Sequence, residues 1–492
     1  MTSPTSKLPN RRVLFVSYLF PPVGGVGVHR VTKFVKYLPQ FGWDCSVLTV
    51  ANPSTPLHDG SLRRDVPVST VVCRATTLEP SYAVKSAVGA GDSQRAGLFG
   101  GVKRLAKKIA RRAVNTLLQP DPQILWRPAA LREGRKLLRE TPHDAIIATG
   151  PPFSSLMLGA SLAKSSGLPL ILDYRDEWGI SNAYWENKQH SWISNMIQKR
   201  MQYSAVRAAD VLLATTPSSA KELELTAEAA GSRARSRFIY NGFDPDDFDA
   251  HSYHAERIDY GNGVDKCRLA FVGTLWNLNP IGPVIDGALA FAKKQPELAA
   301  NLELVIAGRR TSEQEAELDR LNGSPINLVR QPFMAHDEAV RLMHDADALL
   351  LINADKPSTH RIINAKTFEY MAARRPIFVV APRGDLWDVT VGLPGTIQVE
   401  PANPATVAAG LMKLTERHTA GVTYDERIWD ITRFERKRLA NELADLLDGV
   451  VYRSQATVSK VISPRNAMEV KSHPLVDSAY DVDAIRESGV EL

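Results

Sequence analysis

Residues 12–50, RVLFVSYLFPPVGGVGVHRVTKFVKYLPQFGWDCSVLTV, decide the fold. A short β-branched and aromatic run from Arg12 to Tyr18 meets Pro21, Pro22 and the glycine cluster Gly24, Gly25 and Gly27. Val31, Phe34, Val35 and Leu38 then recur at helical spacing, and the pattern closes near Pro39 and Gly42. Ser46 to Val50 reads as a second strand. A helix crossing over between two short strands implies a parallel sheet.

The same rhythm returns at Asp144–Thr149, Pro169–Asp173 and Val211–Thr215, which gives the first half at least five strands. A polar stretch separates it from a second series: Leu269–Gly273, Leu302–Ala307, Ala348–Ile352 and Pro376–Val380. The chain therefore divides into an α/β domain over residues 1–250 and another over 251–424, with the boundary near 245–265. A closing amphipathic helix follows at 425–453, and residues 454–492 read as a largely disordered tail. Ligands in such sheets sit at the carboxyl ends of strands, so a cleft between the two sheets is the expected site.

Composition narrows the function. Of 492 residues, 44% are hydrophobic and 23% charged, which excludes collagen, coiled coil and wholesale disorder. A formal charge of +6 spread over this length argues for no nucleic-acid partner. Cys45, Cys73 and Cys267 match neither a zinc spacing nor a disulfide framework, and read as reduced thiols in a cytoplasmic protein. No apolar run reaches the length of a transmembrane helix, and the first residues lack a signal-peptide core.

Two segments carry candidate chemistry. A strand running into glycines that open a helix lets backbone N–H groups approach an anion, so Gly24, Gly25 and Gly27 are candidate phosphate or sugar contacts. A tight turn needing positive φ is the alternative. The end of the second strand, Thr49 to Asn52, offers no acidic residue for a ribose, which argues against a dehydrogenase. In HRIINAKTFEYMAARRPIFVVAP, Lys366 could neutralise a diphosphate at a helix start, and Glu369 could accept hydrogen bonds from ribose hydroxyls. A solvent-facing Lys-x-x-Glu pair is the competing reading.

On IYNGFDPDDF at 239–248, then FVGTL, IAGRR and AKTFEYMAARRPI in that order, and on PPVGGVGVHR near the amino terminus, the chain resembles the retaining glycosyltransferases of family 4. The resemblance runs from about residue 12 to 450. It implies a GT-B fold of two facing Rossmann-like domains with parallel sheets, and transfer of a sugar from a nucleotide-sugar to an acceptor without a metal or other cofactor. By the same resemblance Glu369 holds the donor ribose, and the turn from Asn364 to Thr367, with Lys366, receives the diphosphate. Gly273 and Thr274 match a glycine-arginine pair in which threonine replaces the arginine, and Arg309 lies in the matching IAGRR turn. Arg361 stands where a glutamate usually grips the donor sugar. It could instead take a carboxylated sugar or contact phosphate.

On the acceptor side, Asp173, Arg175 and Asp176 follow a buried strand, and a similar segment occurs in bacterial relatives. Asp176 is the candidate for handling the acceptor hydroxyl, His29 the second catalytic candidate. An Asp–Arg ion pair bracing the loop is the alternative. No carboxylate nucleophile stands out, so the resemblance suggests front-face displacement in which the leaving diphosphate helps deprotonate the acceptor.

Residues 95–118 contain seven basic side chains and no acidic one, with apolar residues every three to four positions. Such a basic amphipathic helix suits an anionic membrane surface and a lipid-linked or polysaccharide acceptor. The combined expectation is a cytoplasmic enzyme, peripheral to the inner face of the plasma membrane, in bacterial cell-surface glycan assembly. The rivals are a nucleotide- or sugar-binding protein without catalysis and a sugar-nucleotide epimerase.

Overall fold

The computed structural model describes residues 11–55, 58–79, 118–184, 192–248, 257–261, 265–425 and 428–462. All but the last residue of the basic stretch 95–118, and most of the expected tail, lie outside them.

Both sheets are parallel throughout. In the first domain β1 (Arg11–Val16), β2 (Trp43–Val50), β3 (Val71–Ala75), β4 (Ala145–Gly150), β5 (Leu170–Tyr174), β6 (Val211–Ala214) and β7 (Arg235–Phe238) run in the order 3-2-1-4-5-6-7. In the second, β8 (Cys267–Val272), β9 (Leu302–Ala307), β10 (Asn327–Gln331), β11 (Ala348–Ile352), β12 (Ile377–Val380) and β13 (Ile397–Val399) run 10-9-8-11-12-13. The order reverses at β1/β4 and at β8/β11, and these switch points open crevices at the carboxyl ends of the strands.

Central strands are apolar on both faces because each face is covered. Leu14 and Val16 join one core with Trp126, Leu158 and Leu162, whereas Val13 and Phe15 point into another with Val31 and Phe34. Register keeps the layers aligned, with Val13 opposite both Cys45 and Ala145.

Four strands escape the sequence pattern. β3, β7, β10 and β13 lie at sheet edges, and their partly exposed, mixed side chains lack the apolar run of a central strand.

The closing segment behaves differently from the expected single helix. Trp429, Ile431 and Phe434 first pack into the second domain's core. The helix then starts only at Arg436, and Leu439, Leu443, Leu447 and Val450 pack on the first domain's sheet beside Val13 and Phe15. It continues to Ile462, so residues 454–462 are helical rather than disordered.

The chain thus crosses between domains twice, and the crossings lie side by side. Phe243 N–H donates to the Phe434 carbonyl at 3.0 Å, and Arg436 N–H to the Phe243 carbonyl at 2.7 Å. Gly242, at φ 68°, is required here: a Cβ would lie 2.3 Å from the Phe434 oxygen. Among the described residues, no helix is long and apolar enough to cross a membrane.

Candidate active site between the two sheets

The first domain's wall is built around the glycine loop. Gly25, at φ 103°, precedes the helix Val26–Tyr37, and a Cβ on Gly24 would come within 3.1 Å of Asp59. On that helix Arg30 is buried and pairs with the equally buried Asp173 at 3.1 Å, while also donating to the carbonyls of Ile239 and Tyr240 at 2.9 Å. Thr149 donates a further 2.9 Å bond to Asp173. Lys33 is held by Asp65, Asp244 and Asp247 at 2.8, 2.6 and 3.0 Å.

Two acceptor-side expectations are therefore corrected. Asp173 is spent on Arg30 and Thr149, and it has no free oxygen to offer a substrate. Arg175 turns inward, and its guanidinium donates to the carbonyls of Gly27 and Pro151. Both residues brace the glycine loop. The ion pair anticipated as the alternative for Asp176 does not form among the described residues; the pair in this segment joins Asp173 to Arg30.

Asp176 differs from its neighbours. It has no hydrogen-bond partner among the described residues, and part of its side chain faces solvent. It nevertheless lies among enough protein that desolvation pushes its carboxyl up, against the pull of Arg175. Next along, Glu177 is buried and accepts from Arg361 of the second domain at 2.8 and 2.7 Å and from Ser219 at 2.7 Å. Arg361 also approaches Glu222 at 3.3 Å. The expectation that Arg361 binds donor is corrected: its fork closes on a carboxylate of the facing domain.

The opposite wall is built around two strand-end glycines. Gly273, at φ 144°, and Gly308, at φ 123°, end β8 and β9 so closely that a Cβ on Gly308 would fall 2.0 Å from the Gly273 carbonyl oxygen. Against Gly273 lies Lys366, whose ammonium sits 3.6 Å from the Phe271 ring centre. Burial lowers Lys366 to about 7. One turn on, burial raises the Glu369 carboxyl, opposed by the charges of His336, Arg436 and Lys366. Neither Lys366 nor Glu369 has a side-chain hydrogen-bond partner among the described residues.

The rest of that segment is structural. The Asn364 amide donates to Asn353 at 2.7 Å and to the Ile352 carbonyl at 3.3 Å, and Thr367 is fully buried. The Asn364 side chain therefore braces the turn, and the buried Thr367 hydroxyl has no hydrogen-bond partner among the described residues. Thr274 is exposed, and Arg309 is exposed over the Phe333 ring at 5.4 Å.

His29 reaches from the glycine loop toward the second domain, with its ring 5.9 Å from that of His336. Burial, followed by the charges of Arg436, His336 and Lys33, lowers it to about 4, so it is neutral at neutral pH. The sequence reading missed both His336 and Arg436. His336 opens a polar helix, and Arg436 opens the closing helix, where one arginine among several basic residues carries no visible signal.

Among the described residues, two side-chain triads come close enough to hold a cation. Asp65, Asp244 and Asp247 already receive the ammonium of Lys33. Cys267, Asp347 and His418 gather at the first residue of β8, at the far end of that strand from Gly273.

Residues 24–242 match the family model described as a glycosyl transferase 4-like domain. No curated protein matches the chain. Among solved structures, an α,α-trehalose-phosphate synthase (UDP-forming) from Burkholderia vietnamiensis aligns over 90% of this chain and 100% of its own, at 12% identity and a TM-score of 0.57. The lipopolysaccharide outer core galactosyltransferase WaaB aligns over 89% and 99%, at 14% identity and a TM-score of 0.51. Anabaena HepE, solved in complex with UDP-glucose, aligns over 91% and 99%, at 14% identity and a TM-score of 0.50. At such identities the likeness shows the fold alone. Residues 24–242 are thus similar to a glycosyl transferase 4-like domain, and the two parallel-sheet domains have the GT-B fold.

Proposed function

We propose that the protein transfers a sugar from a nucleotide-sugar to an acceptor held between the two domains. One observation carries this reading: Lys366 and Glu369, a single turn apart and both partly buried, make no side-chain hydrogen bond or ion pair among the described residues. Holding ionisable groups that way opposes folding unless a ligand completes them. A diphosphate would complete the ammonium beside the Gly273–Gly308 backbone, and ribose hydroxyls would donate to the carboxylate. The solved relative with UDP-glucose supports a donor of this class.

In the transfer, the acceptor oxygen bonds to the anomeric carbon while the bond from that carbon to the diphosphate breaks. Lys366 stabilises the charge that accumulates on the leaving diphosphate. The acceptor proton passes to a leaving-group oxygen on the same face, which retains configuration, and Asp176 orients the acceptor hydroxyl. The basic segment 95–118 would bring a lipid-linked acceptor to the gap from an anionic membrane, as in bacterial cell-surface glycan assembly.

A second reading has support in Arg361 and Thr274. With the arginine tied to Glu177 and threonine replacing a cation, the site could bind donor without turning it over. Incubation with UDP-, GDP- and ADP-sugars, following sugar release and transfer, separates the two. Turnover that Glu369→Ala lowers at least tenfold supports transfer. Tight donor binding with no turnover favours the second reading, and donor conversion without release of nucleoside diphosphate marks an epimerase. An inverted anomeric configuration by NMR would reject front-face displacement.

A further inference from the structure

Arg436 is 6% exposed, and none of the described carboxylates pairs with its guanidinium. Its Nη1 is buried with no hydrogen-bond partner. The residue is anchored by its backbone instead, through the 2.7 Å bond from its N–H to the Phe243 carbonyl at the paired crossings. That anchor puts the side chain at the seam between domains. On one side its charge acts on Glu369 of the second domain, on the other on His29 of the glycine loop.

The surroundings make this placement unfavourable in the empty protein. Desolvation is the largest influence on the guanidinium, followed by the charge of Arg30, itself paired with Asp173; the carboxylates of Glu369, Asp244 and Asp247 act in the opposite direction without bonding to it. Burial accordingly lowers Arg436 to about 9. Arginine is weakly hydrated and presents a planar fork of donors, which suits phosphate oxygens.

We propose that Arg436 is a diphosphate ligand, brought to the donor site by the returning chain, and that it supplies the cation absent at Thr274. This rests on the nucleotide-sugar reading above and adds a residue from a third element to it. The donor diphosphate then lies between Lys366 of one domain and a group fixed to both crossings, so binding senses how the domains are set.

The test uses the full chain and calorimetric titration with UDP, GDP and ADP, each beside its nucleoside. The wild type is expected to bind one diphosphate at least tenfold tighter than the matching nucleoside. Arg436→Gln is expected to lose tenfold or more in diphosphate affinity with nucleoside affinity unchanged, and Arg436→Lys to recover part of the loss. The melting temperature of ligand-free Arg436→Gln should equal or exceed that of the wild type, since a buried unpaired charge is removed. Wild-type diphosphate affinity in Arg436→Gln, an equal loss for nucleoside and diphosphate, or a ligand-free melting temperature lowered by several degrees would each overturn the proposal while leaving the nucleotide-sugar reading in place. Failure of the wild type to bind any of the three diphosphates would overturn both.

Discussion

The two walls of the gap use charge in opposite ways. On the first domain's wall Arg30 is paired with Asp173 and Lys33 with Asp65, Asp244 and Asp247, while Arg175 is held by the carbonyls of Gly27 and Pro151. On the second domain's wall Lys366 and Glu369 make no ion pair or side-chain hydrogen bond among the described residues, and Arg436 at the seam joins them. Matched charges hold a loop in place, whereas unmatched ones await a ligand. The contrast assigns the first wall to scaffolding, with Asp176 as its free group, and the second to donor binding.

Substitutions should separate these roles. Breaking the matched wall gives the largest effect. Arg30→Met leaves the Asp173 carboxylate buried with only Thr149, and should destabilise the protein by about 3–5 kcal/mol in chemical denaturation. On the unmatched wall Lys366→Met should leave stability equal or higher but weaken nucleotide-sugar binding by about 2–3 kcal/mol, the scale of a hydrogen bond to a charged group. A loss of stability without loss of binding would reverse the assignment.

Arg361→Gln tests the seam between the walls. Glu177 would keep Ser219 but lose its bidentate partner, at about 1–3 kcal/mol of stability. Donor affinity should change little, because Arg361 faces the first domain and not the donor space. A larger effect on donor affinity than on melting temperature would return Arg361 to the donor site.

The smallest expected effect is one of pH. Lys366 titrates near 7 in the free protein, and a bound diphosphate favours its protonated form and raises that value. Affinity should therefore be highest below pH 7 and fall as pH rises from 7 to 8, by at most about tenfold. A nucleotide-sugar is the suitable probe, because its diphosphate does not titrate in that range. Lys366→Met should flatten the dependence.

Much of this was legible in the sequence because central parallel strands are covered on both faces. The runs at Val13–Phe15, Ile146–Ala148 and Leu349–Leu351 are apolar for that reason, and the glycine loop between β1 and its helix fixed the topology. Val71–Ala75 and Arg235–Phe238 were not legible, since edge strands mix polar and apolar residues. In the site, Lys366 and Glu369 were visible as charges at a helix start, and Asp176 as one that follows a buried strand. What local spacing cannot show is pairing across the fold. Asp173 meets Arg30, and Arg361 meets Glu177, over separations of more than a hundred residues. Arg436 was hidden for the same reason: only the return of the chain between domains buries it.

The most direct test of the central claim is calorimetric titration of a nucleotide-sugar into the wild type and Lys366→Met, paired with the unfolding midpoint of each. The account predicts that the variant loses binding by about two orders of magnitude while its midpoint holds or rises. Equal affinity in the two proteins would contradict it, and the second wall would then be scaffold like the first.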